Sequence, residues 1–400
     1  MNLKTGFPFW LIKDGLPFQY PKLDRDVDTE VIVLGAGITG ALVRHYLVEA
    51  GIPCVAVDAR TIGLGSTCAS TSLLQYEIDT PLSKLIDLVG KDHAERAYRL
   101  CGEAVRELGV LANLLEMKEF EFKKSLYYAT YKKDVTWLKA EFEARKAAGF
   151  EVRWLSAEAV QDQYGFLAHG AILSELAAQT NAYEMTHRLL QFHGDALSPV
   201  YDRTPITQIK HQKSGVALRS ENGFVLRAKK LVYATGYEVV EFLDKDIVKL
   251  LSTYAVASEQ YDTARFWKDN VLIWNTANPY LYLRTTSDQR VIVGGRDEMF
   301  YNPKKRDALL PKKTQQLSND CGRLFPSIDF KPEFSWTGTF GSTKDGLPYI
   351  GPYKKFPNSY FALGFGGNGI TFSVTAAQII RDLILGKDNP DVSIFSFGRH

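Results

Sequence analysis

Residues 30–40 of the chain read EVIVLGAGITG. The first five form a nearly continuous apolar run, which is typical of a strand buried on both faces. Residues 41–50 then predict a helix, and residues 54–58 predict a second buried strand. A β-α-β unit of about 30 residues is the context in which a Gly-x-Gly-x-x-Gly turn binds a dinucleotide.

The three glycines of this turn meet specific physical demands. Gly35 allows the tight turn, Gly37 lets the backbone approach a pyrophosphate, and Gly40 lets the helix lie close to the strand. The helix N-terminus offers unpaired N–H groups to the phosphates. Asp58 ends the next strand, where it would accept hydrogen bonds from a ribose and disfavour the extra phosphate of NADP. The structural alternative is a glycine-rich turn in another kind of α/β protein.

Two distant segments favour FAD over NAD. Residues 231–236 predict an apolar strand that ends in the small residues Ala-Thr-Gly, past which an extended dinucleotide can run. Residues 364–370 read GFGGNGI and precede a predicted helix over residues 371–385. Glycines there let main-chain N–H groups converge on a ligand, and a helix N-terminus would stabilise the negative charge of a reduced flavin.

The composition excludes several classes of protein. At about 150 residues per domain, a length of 400 residues predicts two or three structural units. The apolar fraction of 45% and the charged fraction of 24% are those of a globular protein, which excludes disordered and fibrous chains. A net charge of +2 gives no electrostatic footprint for a nucleic-acid partner.

The cysteines and the apolar runs predict a cytoplasmic protein without a membrane span. The four cysteines show no Cys-x-x-Cys spacing, which favours free thiols in a reducing compartment. Lys13 and Asp14 interrupt the N-terminal apolar residues, so no signal peptide is predicted. The longest apolar run, residues 31–43, is shorter than the roughly 20 residues that cross a bilayer.

The whole pattern resembles the FAD-dependent oxidoreductases of the D-amino acid oxidase, glycine oxidase and sarcosine oxidase superfamily. The resemblance covers nearly the full chain, and the arm at residues 20–23 is similar to that of members that oxidise amines such as glutamylated putrescine. It rests on residues 31–40 with Asp58, and on residues 62–66, 234–236, 284–295, 345–348 and 364–370.

The expected fold is α/β, with a Rossmann-like FAD-binding domain interwoven with an antiparallel-sheet substrate domain of α+β type. We assign residues 1–84, 151–240 and 331–400 to the FAD-binding domain. Residues 85–150 and 241–330 would then form the substrate domain, which covers the isoalloxazine ring.

The resemblance and the motifs together predict a set of FAD-binding residues. Many relatives carry an Arg-Asn-Gly-Gly-like run beside the flavin, where residues 67–76 here read TCASTSLLQY. This loop has no His, and Cys68 is interpreted as a small buried hydrophobe, so FAD is expected to bind non-covalently. The predicted cofactor-binding residues are Gly35, Gly37, Ile38, Gly40, Asp58, Ala59, Arg60, Gly65, Ser66, Thr67, Ser70, Thr71, Ile206, Ala234, Thr235, Gly236, Gly346, Gly366, Gly367, Asn368, Gly369, Ile370 and Thr371.

Residues near 280 provide the predicted catalytic side chains. Tyr280, Tyr282 and Arg284 share one face of an alternating strand. In amino-acid-oxidising relatives a matching Arg holds the substrate carboxylate, whereas amine-oxidising relatives keep an Arg that need not touch substrate. Both roles stay open for Arg284; Arg290 is interpreted as structural and Arg296 is a lesser candidate. Glu77 or Asp79 would either attract a cationic amine or form a solvated turn.

The predicted reaction is oxidation of the C–N bond of an amine or amino acid. A hydride would pass to flavin N5, the imine would hydrolyse, and the electrons would leave to oxygen or to a redox partner. A dry pocket would favour the neutral amine, and no protein nucleophile is needed.

Three alternatives remain at this point. A 2-hydroxy-acid oxidase or dehydrogenase would need a base such as His187, His193 or His211, and the sequence places none of them at the flavin. The unusual loop at residues 67–72 also allows a non-catalytic FAD-binding subunit, and an NAD-dependent dehydrogenase is the third rival. The seven His residues are scattered, so no metal site is predicted.

Overall fold

A computed structural model describes residues 1–194, 198–243, 247–363 and 366–399. Within these ranges the chain forms two mixed sheets that carry helices on their faces, as the predicted α/β class requires. The strands are β1 (Thr5–Gly6), β2 (Val27–Leu34), β3 (Cys54–Val57), β4 (Leu73–Gln75), β5 (Glu121–Tyr128), β6 (Val152–Leu155), β7 (Ala171–Gln179), β8 (Val200–Tyr201), β9 (Ile206–Gln212), β10 (Gly215–Ser220), β11 (Val225–Tyr233), β12 (Lys249–Ser258), β13 (Leu272–Asn275), β14 (Leu281–Thr285), β15 (Val291–Glu298), β16 (Pro332–Ser342), β17 (Tyr349–Pro352) and β18 (Ser359–Leu363). The helices are α1 (Phe9–Asp14), α2 (Ile38–Glu49), α3 (Leu82–Val89), α4 (Lys91–Leu114), α5 (Val135–Ala147), α6 (Ala157–Tyr164), α7 (Ala182–Phe192), α8 (Pro303–Leu324), α9 (Gly369–Ile384) and α10 (Val392–Phe395).

The eight-stranded sheet has a parallel centre in the order β18-β11-β2-β3-β8. Strands β17, β10 and β9 extend it with antiparallel pairs. Leu34 lies opposite both Val57 and Tyr233, so three parallel strands end at the same edge. The segments that follow these strands therefore meet there, which is where open α/β sheets bind ligands.

The centre of this sheet is buried on both faces, as the apolar run at residues 30–34 predicts. Val31 and Val33 belong to the core under helices α2 and α9, whereas Ile32 and Leu34 belong to the core on the opposite face. Alternate side chains of a strand point to opposite faces, so a strand covered on both must be apolar throughout.

The ten-stranded sheet is the second layer of the molecule. Its order is β1-β16-β12-β15-β14-β13-β5-β7-β4, with β6 paired to β7. Every pair is antiparallel except β13 with β5. It presents one face to the edge at which the parallel strands end, and α8 packs on β12, β15 and β16.

Several elements differ from the sequence prediction. Helical periodicity in the sequence predicts one helix over residues 82–116, but Gly90, with a φ of +85°, separates α3 from α4. The first 30 residues, rich in proline and aromatic residues, predict an extended arm, but the arm contains α1 and β1, and Trp10 is fully buried. Helix α8 and strand β7 were not predicted. Charged residues and Pro311 interrupt the apolar pattern of α8, which Asn302 caps at its start.

The sheets interleave along the chain differently from the predicted domain division. Strands β1, β4, β6, β7 and β16 lie in the ten-stranded sheet, although their residues were assigned to the FAD-binding domain. We propose a division by sheet membership, in which these strands belong to the substrate domain. No helix in the described ranges is both long and apolar enough to cross a membrane.

Candidate active site

A cavity of about 510 Å³ lies between the edge of the eight-stranded sheet and the face of the ten-stranded sheet. One wall consists of the segments that follow β2, β3 and β11, together with the 3₁₀ turn before α9. The other wall includes Thr253 on β12, Trp274 on β13, Tyr282 on β14 and Asp297 on β15. The cavity therefore joins the predicted dinucleotide turn to the predicted substrate residues.

The glycine turn is packed as a dinucleotide-binding turn requires. Gly35 has a φ of +102°, and a Cβ there would lie 2.4 Å from the carbonyl oxygen of Ala234. A Cβ on Gly40 would lie 1.8 Å from the carbonyl oxygen of Gly35, so α2 lies directly against the turn. A Cβ on Gly37 would lie 2.8 Å from Thr67 Oγ1, on the cavity side.

Asp58 ties the turn to the end of β3. Its Oδ2 accepts a hydrogen bond from the Ala36 N–H and its Oδ1 accepts one from the Arg60 N–H, both at 2.8 Å. Burial raises the pKa of this carboxyl. Arg60 pairs with Glu238, which also pairs with the N-terminal amine at 2.7 Å. This end of the cavity is therefore polar but close to electrically balanced.

Two buried hydroxyl groups in the cavity wall are left without partners. Ser66 Oγ and Thr235 Oγ1 are shielded from solvent and accept or donate no hydrogen bond in the described residues. Unpaired buried polar atoms cost free energy unless a ligand satisfies them. Together with the close-packed glycine turn, these atoms fit the phosphates and ribitol hydroxyls of FAD.

Most of the predicted cofactor-binding residues line the cavity. Three do not: Gly40 packs α2 on β2, Gly346 lies against Thr80, and the Thr371 hydroxyl donates to the Asn368 carbonyl oxygen. Gly364 and Phe365 of the predicted glycine-rich loop lie outside the described residues. The residues that line the cavity are Gly35, Gly37, Ile38, Asp58, Ala59, Arg60, Gly65, Ser66, Thr67, Ser70, Thr71, Ile206, Ala234, Thr235, Gly236, Gly366, Gly367, Asn368, Gly369 and Ile370.

Two tryptophans form hydrogen bonds with the backbone of the unusual loop after Ser66. Trp10 Nε1 donates to the Ser70 carbonyl oxygen and Trp336 Nε1 donates to the Ala69 carbonyl oxygen. Cys68 is buried, does not line the cavity, and has its pKa raised to about 11 by burial. A protonated thiol that does not line the cavity favours the non-covalent mode of FAD binding.

The structure does not bring Arg284 into the cavity. The side chain is fully buried, and its guanidinium donates to the carbonyl oxygens of Thr71, Ser72 and Thr180 at 2.9–3.1 Å. It also lies over the Trp10 ring. These contacts join Arg284 to the cofactor loop, although the side chain does not line the cavity, and its Nη2 is buried without a partner in the described residues.

The other two candidate arginines form ion pairs outside the cavity. Arg290 pairs with Asp288 and Glu333, and Arg296 pairs with Asp320. Among the arginines of the described residues, only Arg60 lines the cavity.

Tyr280 and Tyr282 do line the cavity, and both lie close to two carboxyl groups. Asp79 Oδ2 accepts the Gly367 N–H at 2.8 Å, and the Tyr280 hydroxyl also hydrogen-bonds to this carboxyl. The cavity walls enclose the carboxyl and raise its pKa. The Tyr282 ring lies over Gly294, where a Cβ would fall 2.2 Å from the ring.

Asp297 is the main residue that sequence reasoning missed. It lines the cavity, hydrogen-bonds to Thr253, and leaves Oδ1 buried without a partner. Burial, with smaller effects from Asp79 and Glu298, raises its pKa to about 7. In the sequence, Asp297 follows the Gly294-Gly295 pair by two residues. The residue between them, Arg296, was the candidate that the sequence suggested.

A group of metal-binding composition lies away from this cavity. His45, Glu49 and His193 place one ligand atom each within 4.8 Å of one another. Sequence spacing could not show it, because α2 supplies two of the residues and the end of α7 the third. Here the two imidazoles hydrogen-bond to each other at 2.9 Å, and burial, with a smaller effect from Arg44, lowers the pKa of both.

Comparisons with known proteins agree with this geometry. The family model described as FAD dependent oxidoreductase (DAO) matches residues 30–383. Glycine oxidase of Geobacillus kaustophilus is 25% identical over 93% of this chain and 97% of its own length. Gamma-glutamylputrescine oxidoreductase of Escherichia coli K12 is 23% identical over 92% and 86%.

Solved structures show the same fold. The crystal structure of glycine oxidase from Geobacillus kaustophilus superposes with a TM-score of 0.79 at 20% identity, covering 94% of this chain and 99% of that one. That of L-proline dehydrogenase from P. horikoshii gives 0.78 at 16% identity, over 93% and 97%. The predicted family, fold and FAD cofactor are thus confirmed: the chain belongs to the FAD dependent oxidoreductase (DAO) family.

Proposed function

We propose that this flavoenzyme oxidises the C–N bond of a primary or secondary amine or amino acid. The observation that carries the proposal is the cavity that joins the FAD-binding turn to a chamber of tyrosines and carboxyls. FAD, when bound, supplies the acceptor for a hydride from the substrate carbon. The relatives support the substrate class, since their names refer to glycine, proline and glutamylputrescine.

The chain's own contribution is to bind, orient and dehydrate the substrate. Tyr280 and Tyr282 line the space with their rings 5.8 Å apart, and Trp274 adds a further apolar surface. Such walls exclude water from the space in which the substrate carbon loses a hydride. This chemistry requires no protein nucleophile.

Oxidation of a 2-hydroxy acid finds less support in the same cavity. No histidine of the described ranges lines it. The three candidate bases are engaged elsewhere: His187 contacts Tyr20, His193 contacts His45, and His211 contacts Tyr233. The usual base for hydroxyl oxidation is therefore missing from the described cavity wall.

An absorption spectrum of the purified protein, repeated anaerobically with substrate pools, tests the proposal. We expect flavin absorption that bleaches with a pool of amines and amino acids. Bleaching by hydroxy acids alone would replace amine oxidation with hydroxy-acid oxidation. A flavin that no pool bleaches would favour a non-catalytic FAD-binding subunit. Repeating the bleached sample with air identifies oxygen as an electron acceptor if the absorption returns.

A further inference from the structure

The part of the cavity beside β14 and β15 is acidic and aromatic. We call it the acidic chamber and define it by Asp79, Asp297, Tyr237, Tyr280 and Tyr282, all of which line the cavity. These groups are close enough to affect one another electrostatically. A chamber with two carboxyls and three phenol rings offers negative charge and negative ring faces to a ligand.

The two carboxyls differ in how many partners the protein gives them. Asp79 already accepts hydrogen bonds from the Gly367 N–H and the Tyr280 hydroxyl. The Asp297 carboxyl forms a hydrogen bond with the Thr253 side chain, but its Oδ1 is buried without a partner. A buried carboxylate oxygen without a donor is costly, so the chamber is incomplete until a ligand supplies one.

The cations of the described cavity wall are all at the other end. They are Arg60 and the N-terminal amine, and both pair with Glu238. Lys313 lies near Asp297 but does not line the cavity, and its Nζ donates to Glu298 and to the Arg296 carbonyl oxygen. A substrate carboxylate in the chamber would therefore face two acidic groups and no basic side chain.

We propose that the acidic chamber selects a cationic amine that carries no carboxylate, and that Asp297 Oδ1 accepts a hydrogen bond from its ammonium group. This inference rests on the proposed amine oxidation and narrows its substrate class by excluding free amino acids. The ammonium would supply the missing donor of Asp297, and the phenol rings would stabilise its charge. A carboxylate at the same place would be repelled by Asp297 and Asp79.

A pair of small probes with opposite charge tests this directly. tert-Butylammonium and 2,2-dimethylpropanoate have nearly the same shape, and neither has a hydrogen on the carbon that bears the charged group. Neither can therefore lose a hydride, and binding to the oxidised holoenzyme can be measured by calorimetry and by the shift in flavin absorption. We expect the ammonium probe to bind at least tenfold more tightly than the carboxylate probe.

Asp297→Asn should weaken binding of the ammonium probe by about 10- to 100-fold, the usual loss for a charge-assisted hydrogen bond. Asp162→Asn is the matched control, because Asp162 loses the same charge, is exposed on α6 and does not line the cavity. We expect its affinity to stay within twofold of the wild type. Asp297→Glu, which keeps the charge, should retain the preference for the ammonium probe.

Tighter binding of the carboxylate probe, or unchanged affinity in Asp297→Asn, would overturn the inference. If Asp297→Asn fails to fold, the charge preference of the wild type and of Asp297→Glu decides the question. The proposed function fails separately: flavin that bleaches only with hydroxy acids would refute amine oxidation, whatever the two probes show. Bleaching by free amino acids but not by simple amines would keep the proposed function and refute this inference.

Discussion

At the scale of single residues, two glycines of the same turn have different consequences when a methyl group is added. A Cβ on Gly40 meets a backbone oxygen at 1.8 Å, whereas a Cβ on Gly37 meets the end of the Thr67 side chain at 2.8 Å. A hydroxyl can rotate away, but the backbone of the turn cannot. A substitution at Gly40 therefore tests the packing of the fold, whereas a substitution at Gly37 tests how closely the cofactor can approach the turn.

We expect Gly40→Ala to lower the free energy of unfolding by about 3 kcal/mol or more, since overpacking moves backbone. Gly37→Ala should leave the fold intact and weaken FAD binding. Urea unfolding and the FAD content after gel filtration measure the two effects. The interpretation fails if Gly40→Ala is as stable as the wild type.

Asp297 predicts an unusual pH dependence of stability. Its pKa is 3.8 in the unfolded chain and about 7 in the folded protein, so folding favours the protonated form. Between these values the unfolded state binds fewer protons, and stability falls as pH rises. Below about pH 4 the contribution is fully present, and above about pH 7 it is lost, by roughly 4 kcal/mol. The neighbours that set this pKa are Thr253, Asp79, Lys313 and Glu298.

Asp297→Asn should remove most of this dependence, because an amide does not titrate. The measurement is urea unfolding at several pH values, without any amine present, for the variant and the wild type. Asp162→Asn again serves as the control for the loss of one charge. A variant whose stability falls between about pH 4 and pH 7 as steeply as the wild type would contradict the assignment.

At the scale of elements, β15 explains why the sequence pointed to Arg296, whereas the residue that lines the cavity is Asp297. Regular alternation from Gly294, which lies under the Tyr282 ring, would bring Arg296 to the cavity face. The register between β12 and β15 shifts by a bulge at this point, with positive φ at Gly295 and Arg296. The bulge turns Asp297 inward and sends Arg296 out to Asp320.

Elsewhere in the chain too, features set by local sequence could be predicted, whereas features set by distant contacts could not. The βαβ unit and its glycine turn could be predicted, because local apolar runs and a fixed turn determine them. Burial of Arg284 under the cofactor loop could not, since it depends on contacts with Thr71 and Thr180, which are distant in sequence. Strand alternation places a side chain on a face but does not say what covers that face.

Substitution of Arg284 tests whether this side chain stabilises the cofactor loop. Arg284→Met keeps much of the volume but removes the donor of the Thr71 and Thr180 carbonyl oxygens, whereas the Ser72 carbonyl oxygen keeps the Thr180 N–H. We expect a loss of at least about 3 kcal/mol in unfolding free energy and weaker FAD binding, as when one partner of a buried polar network is removed. The preference for the ammonium probe should persist in whatever holoenzyme forms. If Arg284 held a substrate carboxylate instead, stability would change little and carboxylate ligands would lose affinity.

At the scale of the whole molecule, the cavity couples the two sheets. Its walls come from both sheets, so FAD bound there would stabilise their association as well as each sheet. A ligand that binds only the folded state adds about 2.7 kcal/mol of stability when present at 100 times its dissociation constant. We therefore expect the holoenzyme to unfold in one calorimetric transition, at a higher temperature than the FAD-free protein, with the midpoint rising as FAD is added.

A chain in which FAD shifted one of two separate transitions would place the cofactor within a single domain and contradict the shared cavity. Gly37→Ala, which should bind FAD more weakly, provides the matched control: its midpoint should respond to FAD only at higher concentrations.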